Sequence, residues 1–294
     1  MNRKKRKEIK SIPKGHFADI CRNFARNKTA MAALAVLILI LITALFADVI
    51  VDYRTKVLAQ DPRMRLLSPS ADHWFGTDNF GRDLFGRIIH GARYSLFFGI
   101  ACTAISLAVG CVLGATAAYY GGIIDNIIMR ITDTVMCIPF LLLALTIVAV
   151  GGPGLRTLTI AITVASVPGF TRMVRSVVLS VVSKDFIEAA KSCGTKDAAI
   201  IFGHILPNAI GPVIVNCMMN IAGIIMSAAG LSYLGMGIQP PTPEWGSMLS
   251  EAMKYFRTYP HVAVCAGAAI MITALCFNLV GDGLADAIDP KRRR

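Results

Sequence analysis

Histidine and cysteine are the side chains with which this sequence could bind a metal or carry out nucleophilic chemistry. The chain has five histidines and eight cysteines. No two cysteines form a C-x-x-C pair, so the pattern indicates neither a zinc site nor a disulfide framework, and we expect no metal site and free thiols that pack as small core residues. An intramembrane protease would need a catalytic pair such as Ser with His. The histidines all lie outside the charge-free apolar runs, which argues against that class: His16, His73, His90, His204 and His261.

A second candidate for chemistry is a glycine pattern, Gly76-x4-Gly81-Arg82-Asp83, which has half the spacing of a phosphate-binding loop. It lacks the Lys and the Ser or Thr that would hold phosphate and Mg²⁺. We therefore expect Gly76 and Gly81 to serve tight turns, and no nucleotide cofactor in this chain.

Polar residues inside apolar runs are a third candidate. Asn216 and Asn220 are four residues apart and share one helix face, and Asn278 lies in the last apolar run. Such groups face either a bundle interior or a water-filled path. The sequence leaves open whether these three asparagines line a transport pathway or form hydrogen bonds between helices.

The elements that position these residues are membrane-spanning helices. The chain is 55% hydrophobic and only 16% charged, whereas soluble domains contain about 25% charged residues. A span needs about 20 apolar residues. Five charge-free runs predict spans, namely Thr29–Ala47, Ser95–Ile124, Thr134–Leu155, Ile205–Pro243 and Val262–Gly281. A shorter run, Thr157–Thr171, is followed by Arg172 and Arg175, whose side chains could reach the membrane surface.

Two further patterns concern how these helices pack. Gly110 and Gly114 form a G-x-x-x-G face in the second run, which favours close helix packing. Residues Trp245–Phe256 predict an interfacial or re-entrant helix, with Trp245 at the level of the lipid headgroups.

Charge asymmetry predicts the orientation. Both termini are basic, and both lie on one side only if the number of spans is even, which favours six. With six spans the inside segments hold 20 Lys and Arg and the outside segments hold 10, the bias expected of cytoplasmic loops. The basic start "NRKKRKEIK" is therefore interpreted as a cytoplasmic flank rather than as a nucleic-acid-binding tail. The predicted fold class is an all-α integral membrane protein with six transmembrane helices and both termini cytoplasmic.

This topology divides the chain into segments. Residues 1–28 form a basic cytoplasmic N-terminus, 29–49 the first transmembrane helix, and 50–94 an external segment. Residues 95–284 form a core with five transmembrane helices, which contains a cytoplasmic loop at 183–207, and 285–294 form a basic cytoplasmic tail.

The loop 183–207 has its own pattern, "EAAKSCGTKDAAIIFGHILPN" from Glu188 to Asn208. A helix is predicted up to Gly194, which offers a break, and a second short helix starts near Thr195. Pro207 then stands at the beginning of the next span, where proline is tolerated. We expect a helix, a glycine elbow and a helix that need a surface to pack against, either the chain's own spans or a soluble partner.

Glu188-Ala189-Ala190, Gly194 and Leu206-Pro207 resemble the EAA signature of ATP-binding-cassette importer permeases. His204 departs from the general pattern, which has an aliphatic residue there. Other stretches resemble the dipeptide, oligopeptide and nickel branch: "FGTDNFGRDLFGRIIHGARYSL", "YYGGIIDNIIMRITD", "LSYLGMGIQPPTPEWGSML" and "GDGLADAIDP". The resemblance covers nearly the whole chain from residue 30, and its order suits the second, C-type permease subunit.

The resemblance implies a type I importer transmembrane domain that is not itself an enzyme. The loop would dock on a separate ATPase subunit through Glu188, Ala189, Ala190, Gly194, Thr195, His204, Leu206 and Pro207. The implied partners are a second homologous permease subunit, two cytoplasmic ATPase subunits that bind ATP and Mg²⁺, an extracytoplasmic substrate-binding protein and membrane lipid. The implied location is the bacterial cytoplasmic membrane.

The substrate stays open at this point, since specificity in this family is set largely by the binding protein. The resemblance fits import of dipeptides or oligopeptides, and equally of glutathione or a nickel complex. From other classes, a secondary transporter would show more spans and mid-membrane charges, although two such chains could dimerise. A membrane scaffold would not need the elbow.

Overall fold

The computed structural model describes residues 16–288, and the regular structure of this part is helical. The helices are α1 (His16–Arg26), α2 (Lys28–Leu45), α3 (Ala47–Ile50), α4 (Leu84–Tyr120), α5 (Gly122–Met136), α6 (Phe140–Gly151), α7 (Leu155–Val182), α8 (Asp185–Ser192), α9 (Asp197–Ile200), α10 (Leu206–Tyr233), α11 (Trp245–Met253) and α12 (Pro260–Ile288). Short turns at Tyr53–Leu58, Pro62–Met64 and Ile201–Ile205 are π- or 3₁₀-helical. The predicted all-α class is confirmed. Most of the basic N-terminus and of the tail lies outside the described residues.

Five helical stretches are long and apolar enough to cross a membrane: α2, α4, α7, Asp197–Tyr233 and α12. The pair α5 and α6 makes a sixth if it is counted as one span, but its two halves are bent by 82°. Six predicted spans therefore correspond to five continuous helical stretches and one broken pair. The cytoplasmic position of both termini stays a prediction.

The second span begins eleven residues before the predicted start at Ser95, because α4 starts at Leu84. The Asp83 carboxylate caps it by accepting the Gly86 amide hydrogen at 2.7 Å. Arg87 and His90 lie inside this first part of the helix and are buried. The first residues of α4 therefore fall within the predicted external segment 50–94, and the position of that segment relative to the membrane stays a prediction. Counting charge-free residues misses this start, because charges that are paired inside the protein do not end a helix.

The third and fourth predicted spans also differ from the structure. The helix expected over Thr134–Leu155 is interrupted between α5 and α6, and α6 has only 12 residues. The run expected to be short continues as the 28-residue α7. Arg172 and Arg175 lie within α7 and pair with acidic residues of α5: Arg172 with Asp133, and Arg175 with Asp125 through two bonds of 2.5 Å. Charge-assisted hydrogen bonds to these acidic residues accommodate both arginines within the helix.

The G-x-x-x-G face of α4 packs closely against α7, as predicted. A β-carbon added to Gly110 would lie 2.6 Å from the Phe170 β-carbon, and one added to Gly114 would lie 2.5 Å from the Thr171 carbonyl oxygen. No larger residue fits at either position without moving the two helices apart.

A buried group of four charges, which we call the external charge cluster, consists of Asp78, Arg82, Arg87 and Glu251. The Arg82 guanidinium bonds to the Asp78 carboxylate at 2.6 Å and to the Glu251 carboxylate at 2.9 Å. Arg87 lies 3.3 Å from Asp78 and 3.8 Å from Glu251. The cluster joins the external segment, α4 and α11, and its two positive and two negative charges balance.

The external segment and α11 fit the expectations with one correction. Gly76 and Gly81 have φ of +81° and +78°, which confirms their role in turns. The predicted helix after the prolines is present as α11. Trp245, however, is buried rather than exposed at headgroup level, since its indole N–H donates to the Ile88 carbonyl at 3.0 Å. A buried Trp finds such a partner for its N–H.

Glu244 begins α11 and is buried. Its two carboxylate oxygens accept the amide hydrogens of Gly246 and Ser247, each at 2.8 Å. Burial raises the pKa of Glu244 above its ordinary value, more than these hydrogen bonds lower it.

The raised pKa of Glu244 predicts a pH dependence of stability that glutamine should remove. Because the folded state holds this proton more tightly than the unfolded state, the free energy of unfolding should fall as pH rises from the ordinary value of 4.5 through the raised one. Glu244→Gln keeps a capping oxygen but does not titrate. Thermal unfolding of both proteins in detergent between pH 4.5 and 8 checks this. Parallel pH profiles for the two proteins would contradict the prediction.

Candidate coupling site

The loop 183–207 is an elbow of two short helices, as predicted. α8 ends at Ser192, and α9 begins at Asp197, two residues later than the predicted Thr195. A π-helical turn, Ile201–Ile205, connects α9 to α10 without a break. We call residues 183–207 the elbow.

Gly194 ends the first helix through its backbone. Its φ is +74°, in the left-handed region that glycine adopts most readily. The Gly194 amide donates to the Lys191 carbonyl at 2.9 Å, and the Thr195 amide donates to the Ala190 carbonyl at 3.2 Å. These two bonds form the Schellman motif that commonly closes a helix, so Gly194 and Thr195 fix the bend by backbone geometry.

Gly194→Ala should loosen the elbow by about 1 kcal/mol, because a β-carbon is strained at positive φ. No atom lies within 4 Å of the added carbon, so backbone strain is the whole effect. Hydrogen exchange of the α8 amides measures the change in the free energy of local opening. Gly203→Ala is the matched control, since it has equal space and no positive φ. Equal protection of the α8 amides from hydrogen exchange in the two variants would count against the assigned role of Gly194.

Buried isoleucines hold the elbow against the bundle. Ile187 of α8, Ile200 of α9 and Ile205 of the π-helical turn are almost fully buried. They share one hydrophobic cluster with Val174 and Val178 of α7. The elbow is therefore packed on the ends of the spans and is not a free loop.

Tyr119, near the end of α4, contacts both halves of the elbow. Its hydroxyl donates to the Asp197 carboxylate at 2.7 Å, and the Lys191 ammonium lies 4.5 Å from the centre of its ring. The second contact has the geometry of a cation–π interaction. Sequence reasoning did not assign Tyr119, although it begins the quoted stretch "YYGGIIDNIIMRITD".

The opposite face of the elbow is exposed and partly apolar. Phe186 and Phe202 expose 40% and 59% of their surface. Glu188 and Ala189 are exposed between them in sequence. Within residues 16–288 the Glu188 carboxylate makes no hydrogen bond or ion pair, so it is free to meet a basic group of another molecule.

The remaining predicted elbow residues divide between the two faces. Ala190 and Leu206 are half-buried and pack against the hydrophobic cluster. Thr195 is half-buried at the bend, and Pro207 is exposed in the first turn of α10. His204 is exposed, and its carbonyl accepts the Asn208 side-chain amide at 2.6 Å. The structure thus brings all eight predicted residues into one elbow.

Asn216 and Asn220 lie one turn apart on α10, as their spacing predicts, and the role of these two residues and of Asn278 in a pathway stays a prediction. Asn216 and Asn220 each donate to the carbonyl four residues earlier in α10, at 2.9 and 2.8 Å. Asn220 also lines a cavity of about 380 Å³ beside the break between α5 and α6. Asn216 and Asn278 are half-buried and do not line this cavity.

Two family profiles match the chain. Residues 110–294 match the binding-protein-dependent transport system inner membrane component, and residues 16–69 match the N-terminal TM domain of oligopeptide transport permease C. The dipeptide transport system permease protein DppC of Alkalihalophilus pseudofirmus is 43% identical over 272 residues, which are 92% of this chain and 89% of that protein. The glutathione transport system permease protein GsiD of Escherichia coli is 44% identical over 270 residues, which are 92% of this chain and 89% of that protein.

Solved structures show the same fold. A chain of the MetNI methionine ABC transporter in an inward-facing conformation aligns with a TM-score of 0.56 at 18% identity, covering 69% of this chain and 96% of that one. A chain of the same transporter in a second crystal form aligns with a TM-score of 0.54 at 20% identity, covering 70% of this chain and 98% of that one. With the profile match over residues 110–294 and relatives above 40% identity, the chain belongs to the binding-protein-dependent transport system inner membrane components, the permease subunits of ATP-binding-cassette importers.

Proposed function

We propose that this permease forms half of a translocation pathway for peptides across the bacterial cytoplasmic membrane. A dipeptide permease and a glutathione permease, both at more than 40% identity over 92% of the chain, support this substrate class. Dipeptides and glutathione share amide bonds between amino acids, so a peptide is the substrate chemistry common to the two relatives.

We further propose that the elbow docks on a cytoplasmic ATPase subunit. The observation that carries this is that buried isoleucines anchor the elbow to α4 and α7, while Phe186, Glu188 and Phe202 of the same elbow are exposed. Aromatic residues are enriched at protein interfaces relative to the rest of the surface. Docking there would displace α8 and α9, and Tyr119 would pass the movement to α4.

The complete transporter contains, in this proposal, a second homologous permease subunit, two ATPase subunits and an extracytoplasmic binding protein. ATP and Mg²⁺ bind to the ATPase subunits, and this chain holds no cofactor. Both termini are cytoplasmic, in keeping with the twofold excess of Lys and Arg on that side of the predicted topology.

Purification of the tagged chain, co-expressed with its genomic neighbours, tests this assembly. We expect two ATP-binding proteins and a second permease to co-purify with it. In proteoliposomes, ATP hydrolysis should rise when peptide-loaded binding protein is added, and peptide uptake should require ATP. Uptake that follows a proton or sodium gradient without any ATPase would overturn the proposal.

A further inference from the structure

The break between α5 and α6 lies beside the middle of the spanning helices α7 and α10. The 12 residues of α6 extend about 18 Å, whereas the hydrocarbon core is about 30 Å thick. If α6 ends at one membrane surface, its start at Phe140 lies well inside the hydrocarbon. The cavity beside this start is also lined by Gly169 and Asn220, which lie near the middle of the 28-residue helices α7 and α10.

The backbone around this cavity is irregular at two points. Residues Cys137–Pro139 between α5 and α6 are not α-helical. Pro168 lies inside α7 and has no amide hydrogen for the carbonyl four residues earlier. Its neighbours Ser166 and Gly169 line the cavity. Irregular backbone at membrane depth is tolerated only where it is buried in protein or lines a water-filled space.

The side chains of the cavity are polar at three points and carry no charge. Ser166, Asn220 and Ser227 are its polar lining residues, and none of its lining residues is Asp, Glu, Lys, Arg or His. The Asn220 amide donates within its own helix, which leaves its carbonyl oxygen as an acceptor. Among the described residues the Ser166 and Ser227 hydroxyls have no hydrogen-bond partner. Their hydrogen-bonding capacity is available to water or to a solute.

We propose that this cavity is a hydrated transit site that hydrogen-bonds the main-chain amides of a passing peptide through Ser166, Asn220 and Ser227. Its volume of about 380 Å³ is in the range of small-molecule sites. Because the lining carries no fixed charge, the site does not select peptides by the charge of their side chains. The peptide assignment rests on the proposed function, whereas the hydration of the cavity does not.

Thiol labelling tests the hydration. In the assembled transporter, with all eight native cysteines replaced, single cysteines are introduced by Ser227→Cys and Ser166→Cys. The matched controls are Met226→Cys and Val164→Cys, on the same helices, which expose 58% and 44% of their surface but lie outside the cavity. The probe is the membrane-impermeant reagent sulfonatoethyl methanethiosulfonate, which reacts with ionised thiols.

We expect the two cavity positions to react on the order of tenfold faster than their controls, since a thiol ionises only where water reaches it. Equal rates, or faster reaction at the controls, would overturn the assignment of a hydrated cavity. Labelling does not depend on transport, so this result stands apart from the proposed function.

Uptake of three dipeptides tests whether the cavity accepts peptides through their main-chain amides and without regard to the charge of their side chains. Alanyl-alanine, alanyl-glutamate and alanyl-lysine should enter at similar rates once each is delivered by the binding protein. Ser227→Asp should reduce uptake of alanyl-glutamate relative to alanyl-lysine on the order of tenfold, because a fixed negative charge in the site repels a like charge on the passing peptide. Ser227→Ala is the neutral control and should affect the three peptides equally.

The outcomes separate the two proposals. An unchanged ratio of alanyl-glutamate to alanyl-lysine uptake in Ser227→Asp would overturn the transit site while leaving a peptide permease. If the wild-type transporter takes up none of the three dipeptides, the peptide assignment fails for both proposals, and labelling still decides whether the cavity is hydrated.

Discussion

Replacing Ala189 with tryptophan is expected to reduce ATP-driven uptake on the order of tenfold or more, because a few central contacts carry most of the energy of an interface. Ala189 is exposed on α8 beside Glu188, and Phe186 and Phe202 of the elbow are also exposed. A large side chain there would hold the ATPase subunit away from the elbow. The amount of permease in the membrane should not change, since Ala189 does not contribute to the buried core.

Two further variants separate docking from folding. Ala189→Ser keeps the small volume and should retain uptake. Ile187→Ala, two residues earlier, removes a buried side chain and should lower stability by about 2–5 kcal/mol, so less permease accumulates. The measurements are uptake, co-purification of the ATPase subunits and permease abundance. Normal uptake and normal co-purification in Ala189→Trp would show that this face is not the docking surface.

Arg82→Gln should produce the largest loss of stability on the external side. Arg82 is almost fully buried and bonds to both Asp78 and Glu251 in the external charge cluster. Its removal leaves two carboxylates facing the single guanidinium of Arg87. Breaking a buried ion pair on one side costs about 3–5 kcal/mol, which should appear as a lower midpoint of thermal unfolding and as cleavage of the external segment by added protease.

Arg63→Gln is the control for this prediction. Arg63 is exposed in the same external segment and has no ion pair among the described residues, so its loss should change stability by less than about 0.5 kcal/mol. Adding Glu251→Gln to Arg82→Gln restores the charge balance and should recover part of the loss. Equal unfolding midpoints for Arg82→Gln and Arg63→Gln would refute the role of the cluster.

The sequence predicted the features that depend on local composition. The charge-free runs located every spanning element, because desolvation of charge dominates in a membrane. The helix–glycine–helix elbow also followed from the sequence, since Gly194 adopts the positive φ that its closing motif requires. Gly110 and Gly114 likewise indicated the close contact between α4 and α7.

Features that depend on partners distant in sequence could not be predicted in this way. α4 extends to Leu84 because Arg87 is neutralised by Asp78 and by Glu251 of α11. α7 continues through Arg175 because Asp125 of α5 pairs with it. No local pattern shows that such charges are matched, so each looked like the end of a span.

The break in the third span and its cavity were missed for a related reason. Thr134–Leu155 has no charge, and apolar composition alone does not distinguish one straight helix from an amphipathic helix followed by a bent apolar one. Pro139 was the available local signal, since a residue that precedes proline tends to leave the helical conformation. Asn220 could be proposed from its polarity, but its neighbours across the cavity, Ser166 and Ser227, depend on the packing of α7 against α10.

The continuity of α4 has a mechanical consequence. Its 37 residues contain no proline and extend about 55 Å from Leu84 to Tyr120, so that Arg87 in the external charge cluster and Tyr119 at the elbow lie near its two ends. α7 and α10, by contrast, each contain a proline. α4 contributes Arg87 to this cluster and Tyr119 to the contacts of the elbow, and it can transmit movement between the two as one continuous helix. Movement at the end of α4 that contacts the elbow would reach the external charge cluster as motion of one rigid helix rather than through a chain of separate rearrangements.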